Sequence, residues 1–77
     1  MNVDKQEYYR LQIKAWIGIV RSLTTGANIH EVGNILSMLK NCGGASSVMI
    51  DSVFERCKKF YRKHKPVNIQ LNNSEDL

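Results

Sequence analysis

The stretch TTGANIHEVGNILSMLKNCGG, residues 24–44, decides the fold, because it holds one helical period between two breaks. Ile29, Val32, Leu36 and Leu39 recur at spacings of three and four, with Ile35 beside them. That spacing puts them on one stripe of a helix. Asn28 stands where an N-cap belongs, and Glu31 follows three residues later, the pairing of a capping box. Lys40 suits the electronegative C-terminal end. On the N-terminal side, Thr24-Thr25-Gly26 closes a preceding element, and Gly26 suits the left-handed position just past a helix end. On the other side, Gly43-Gly44 breaks the chain.

Reading outward toward the N-terminus, Asp4 and Glu7 offer a further capping box. Tyr9, Ile13, Trp16, Val20 and Leu23 then recur at helical spacing. Ile17 and Ile19 widen this apolar surface, while Lys5, Arg10, Lys14 and Arg21 supply a wet side. Gly18 costs about 1 kcal/mol relative to Ala in a helix interior. A close helix approach would explain its use there.

Toward the C-terminus, Ser46 or Ser47 caps a third helix. Its apolar face is Ile50, Val53, Phe54, Cys57 and Phe60 or Tyr61. At 100° per residue, Arg56, Lys59, Arg62 and Lys63 gather on the opposite arc. Pro66 ends this helix no later than Lys65. Val67, Ile69 and Leu71 alternate, which permits a short extended stretch, but the Asn-rich end reads as a frayed tail. The expected fold class is therefore all-α. A three-helix antiparallel unit occupies residues 1–65, with helices over about 4–24, 29–41 and 47–64, and 66–77 form a flexible tail.

Size bears on how such a unit is stabilised. The chain has 77 residues and a mass of 8.8 kDa, enough for one domain. Such a chain buries only about 60% of its unfolded surface, so reinforcement by a second copy is expected. Tyr9, Ile13, Trp16 and Val20 are the expected dimer contacts, since aromatic and aliphatic side chains anchor interfaces. The competing reading of the same stripe is plain core. With 43% hydrophobic and 23% charged residues, the composition is that of a globular chain.

Charge is unevenly placed. Eleven bases face five acids over residues 1–65, giving +6, while Glu75 and Asp76 give the last 12 residues −2. Six of the 11 bases lie between Arg56 and Lys65. Arg56, Lys59, Arg62 and Lys63 are thus candidate phosphate contacts for a nucleic acid. The plainer reading is a solvated helix end whose cations suit the macrodipole. A base-reading helix-turn-helix is disfavoured. It would use the start of the third helix, where Ser46-Ser47-Val48-Met49-Ile50-Asp51 carries no base.

Catalytic chemistry is not expected. His30 and His64 have no cysteine or carboxylate at a zinc-site spacing and read as solvated. Cys57 lies among Arg56, Lys58 and Lys59, which would favour a thiolate, but its place on the apolar stripe argues for burial. Cys42 and Cys57 are not a CxxC pair and read as small buried or half-buried thiols, with nothing in the sequence to support a bridge between them. No cofactor or metal is implied. No run reaches the roughly 18 apolar residues of a membrane span, and the first residues lack a signal-peptide pattern. A cytoplasmic protein is expected.

Thr25-Gly26-Ala27-Asn28-Ile29, followed by Ile35-Leu36-Ser37-Met38-Leu39, resembles the AriR (YmgB) family of small biofilm-development and acid-resistance regulators. The likeness runs from about Ile17 to Tyr61. Gly43-Gly44 departs from it, as do the density of bases after Arg56 and the aromatics of the first helix. The resemblance implies an all-α homodimer that connects to two-component signalling, with a response regulator as a natural partner and DNA as a further one. Two alternatives stay open: a nonspecific DNA-binding regulator using the basic end of the third helix, and a phage- or plasmid-derived inhibitor or antitoxin-like adaptor.

Overall fold

The computed structural model of the chain describes residues 2–65. The expected tail over 66–77, with its alternating Val67, Ile69 and Leu71, lies outside the described residues. Three α-helices pack against one another: α1 (Asn2–Ser22), α2 (Ile29–Lys40) and α3 (Ser47–His64). A single 3-10 turn, Gly26–Asn28, precedes α2, and no strand occurs among the described residues.

α1 starts at Asn2, so Asp4 lies inside the helix rather than capping it. Its C-terminal carbonyls are closed by hydroxyls. Ser22 Oγ donates to the Ile19 carbonyl at 2.7 Å, and Thr24 Oγ1 donates to the Val20 carbonyl at 2.8 Å. These bonds satisfy groups that a helix end otherwise leaves orphaned. Gly26 is consequently not a left-handed cap. It opens the 3-10 turn, and the one positive φ among the described residues belongs to Gly44, at +80°.

Asn28 is the polar residue of this corner. It is 6% exposed and turns back toward α1 instead of capping α2. The Thr25 N–H donates to Asn28 Oδ1 at 2.7 Å, and Asn28 Nδ2 donates to the Leu23 carbonyl at 3.0 Å. With Asn28 occupying the inward slot, Ile29 is turned out and stands 50% exposed, against its expected place on the apolar stripe. The core stripe of α2 is instead Val32, Ile35 and Leu39, continued by Cys42.

α3 follows its expected period closely. Ser46 Oγ accepts from the Met49 N–H at 3.2 Å, the N-cap bond. Ile50, Val53, Phe54, Cys57 and Phe60 are buried, whereas Tyr61 is half-buried. Lys65 ends the helix in extended backbone, with ψ 153°, as the residue before a proline must. α1 adds Val20 to the fully buried set and lays Tyr9, Ile13, Trp16 and Ile17 over it. Tyr9 meets Phe54 with ring centroids 6.1 Å apart. Gly18 does not serve a close approach within the chain, since a Cβ built there meets nothing within 4 Å.

The Asn28 corner yields a test. Asn28→Ala removes both bonds and leaves the Thr25 N–H and Leu23 carbonyl without them, at a cost of about 1–3 kcal/mol. Asn28→Asp keeps the acceptor but sets a carboxylate against the Leu23 carbonyl, so it should fall with Ala. Urea unfolding monitored by circular dichroism reads both, and a wild-type midpoint in either variant contradicts the assignment.

Candidate functional site

Burial of the α3 stripe fixes which residues face solvent. Arg56, Lys59, Arg62 and Lys63 are all exposed, on the arc their spacing implies. Three of them line one groove of about 500 Å³ where α3 runs beside the start of α2, with Glu31 and Ser52 on its walls. Arg62 lies outside that groove. Carboxylates intrude on the arc. Lys63 Nζ is 3.5 Å from Glu31 Oε1, and Lys58 Nζ donates to Glu55 Oε2 at 3.4 Å. Arg56, Lys59 and Arg62 form no ion pair among the described residues.

His64 departs from its expected solvated state, while His30 is exposed. The His64 ring packs on Phe60, centroids 4.5 Å apart. Its Nε2 is enclosed without a hydrogen bond, 3.6 Å from Glu31 Oε1. The sequence carried the signal, because position 64 continues the series 50, 53, 57, 60 at helical spacing. An imidazole does not count as apolar in that period, although its ring face packs on Phe60 as an apolar one would.

The expected dimer residues lie on the inner side of α1. Val20 has no exposed surface, and Tyr9, Ile13 and Trp16 are half-buried against the chain's own core. Val20 could reach a second chain only if the three helices came apart. A different α1 face is open. Tyr8 is 56% exposed and Leu11 51%, and Ala15, Gly18 and Ser22 are exposed along the same line. Sequence reasoning missed this second line because the stronger 9–13–16–20 stripe drew the whole apolar content of α1 to one side. Glu7 stands at its edge, where the hydrogen bond from Arg10 holds its carboxyl below the ordinary range.

A further groove of about 610 Å³ separates the N-terminal half of α1 from the connection into α3. Tyr9, Arg10, Ile13, Gly43, Gly44 and Ile50 line it. Cys42 borders it but is buried, and its Sγ donates to the Met38 carbonyl at 3.3 Å. Among the described residues no three His, Cys, Asp or Glu side chains group to hold a metal ion, and no helix is long and apolar enough to cross a membrane.

Cys57 has no exposed surface, and burial, with a smaller contribution from Cys42, pushes its thiol up to about 11. The neighbouring cations therefore do not yield a thiolate. An unfolded thiol ionises near pH 8.5. The unfolded state then sheds a proton that the folded state keeps, so stability should be full below about pH 8.5 and fall as pH rises toward 11. Cys57→Ala should lose stability less steeply over that window in urea titrations. At pH 7.5, Cys57 should alkylate at least tenfold more slowly in the native protein than in urea. Equal rates would overturn its assigned burial.

No family model, no curated protein and no solved structure matches this chain.

Proposed function

We propose that this chain is a small non-enzymatic regulatory protein that acts by contact with other proteins, as an antiparallel three-helix unit working in the cytoplasm. One observation carries the reading: α1 buries one apolar stripe and leaves Tyr8 and Leu11 facing solvent on another line of the helix. An exposed tyrosine and leucine on one helical line form the kind of anchor that interfaces use. The proximity of Glu31, at the start of α2, to Lys63 and His64, at the end of α3, supports the antiparallel arrangement. The unexposed Cys57 thiol supports a role without nucleophilic chemistry, and two free cysteines suit a reducing compartment. The AriR-like motif around Thr25–Asn28 and Ile35–Leu39 supports a connector role toward a response regulator.

A second reading rests on the exposed cations of α3, of which Arg56, Lys59 and Arg62 are free of ion pairs among the described residues. They suit the phosphates of a nucleic acid read without base specificity.

Two measurements separate the readings. A photo-crosslinker at Leu11, introduced in cells that express the chain, should capture protein, whereas the same group at exposed Asn34 on α2 should not. Absence of any adduct from position 11 would overturn the contact role of α1. Duplex DNA retention that drops steeply with salt, and is lost on neutralising Arg56, Lys59 and Arg62 together, is the result the second reading requires.

A further inference from the structure

One carboxylate interrupts the basic row of α3. Ser52, Arg56, Lys59 and Lys63 follow one another at spacings of four, three and four, so they run in one line along the groove beside α2. Glu31, in the first turn of α2, crosses that groove to the end of the row. Its Oε1 lies 3.5 Å from Lys63 Nζ and 3.6 Å from His64 Nε2. Two α3 side chains thus converge on one oxygen. The His64 ring is itself seated on buried Phe60, so the carboxylate meets a fixed wall on that side.

The helix dipole favours an acid in the first turn of α2, but it is indifferent to which neighbour the carboxylate meets. The meeting with Lys63 is a separate property, and it takes the last cation from the row. We propose that the Glu31 carboxylate is a built-in competitor for the phosphates that α3 would bind. It fills, at Lys63, the place of an incoming phosphate and so holds down the affinity of the row for nucleic acid. The inference rests on the phosphate-contact reading of α3 and adds the group that regulates it.

A carboxylate and a phosphate oxygen are alternative acceptors for the same ammonium. With Glu31 in place, Lys63 is neutralised. Arg56, Lys59 and Arg62 are left free of ion pairs among the described residues. Arg62 stands off the groove, so the row itself keeps only Arg56 and Lys59. Glu31 also puts a negative charge in the path that a phosphate strand would follow. Glu55 lines the same groove, but it accepts from Lys58, which is not in the row, and so masks none of the row's cations.

The pair is open to solvent, with the Lys63 side chain 64% exposed and that of Glu31 40%. Such pairs are weak and are screened by salt. Glu31 is therefore a restraint that a polyanion displaces at a cost in affinity, not a lock.

Glu31→Gln keeps the shape of the side chain and removes its charge. Retention of mixed-sequence duplex DNA by the full chain, titrated with salt, reads the outcome. Each phosphate contact contributes about −0.9 to the slope of log affinity against log salt. The wild-type slope should be about −2.7, from three free bases, and that of Glu31→Gln about −3.6, from four. At low salt the affinity of the variant should rise on the order of fivefold, the upper worth of an exposed pair. Glu31→Ala, which favours helix, is the second unmasking variant and should do the same. Adding Lys63→Gln to Glu31→Gln should return the slope to that of three contacts. Asp51→Asn is the control. It removes the same charge from α3 itself, yet Asp51 is exposed and pairs with no base among the described residues. Its slope should stay that of the wild type.

A wild-type chain with salt-dependent retention, and unmasking variants of equal slope, overturns the competitor and keeps the phosphate reading. An equal steepening in Asp51→Asn also overturns it, because the effect is then one of net charge. Retention that emerges only in the unmasking variants supports it. No salt-dependent retention in any of these chains overturns both the competitor and the phosphate reading.

Discussion

The amide side chain of Asn28 holds the corner on which the packing depends. Its two bonds, from the Thr25 N–H and to the Leu23 carbonyl, tie the start of α2 to the end of α1. A buried amide must find such partners or cost the fold their desolvation. Because it finds them across the turn, the corner has little freedom left. The direction of α2 then follows, and with it the face that α2 presents to Val20 and to the stripe of α3. The cap at Ser46 does the same for the second corner with a single bond. In a chain with so few core residues, two polar contacts at the corners fix what apolar packing alone would leave loose.

Much of this was legible in the sequence. α3 was the most readable element, since the Ser46-Ser47 pair, the 50–53–57 series and Pro66 are local signals, and the structure decides for Ser46 as the cap and Phe60 as the last buried position. Helix spans for α1 and α2 were also readable, within two residues at each end. Residues with two roles open to them were harder. Asn28 carries both cap chemistry and a side chain short enough to bond backward, and only the tertiary position of Leu23 decides between them. Gly26 and Gly44 are alike as letters. The hydroxyls of Ser22 and Thr24 remove the need for a left-handed residue at the first, whereas at the second the side-chain donor that reaches back is the weaker thiol of Cys42, to the Met38 carbonyl.

The candidate surfaces show the same division. The exposed arc of Arg56, Lys59, Arg62 and Lys63 follows from period alone, because burial of the opposite face leaves no other place for them. Its partial neutralisation by Glu31 does not, since that carboxylate arrives from another helix. For α1, an apolar stripe was readable but its destination was not. A single helix can carry one face for its own chain and another for a partner, and composition counts both together. Val20, fully buried, and Leu11, half exposed, differ in how the three helices sit, which no local window contains.

The +80° φ at Gly44 gives this small protein an uneven tolerance for sequence drift. Of its five glycines, this is the one whose backbone geometry excludes ordinary side chains, although there is empty space around it. Gly26, Gly33 and Gly43 have both the space and a conformation open to any residue. Among diverging copies of this chain, substitutions should accumulate at those three while position 44 stays fixed. An alignment anchored on Gly44, the second residue of the Gly43-Gly44 break, would then keep its register where the surrounding letters no longer agree.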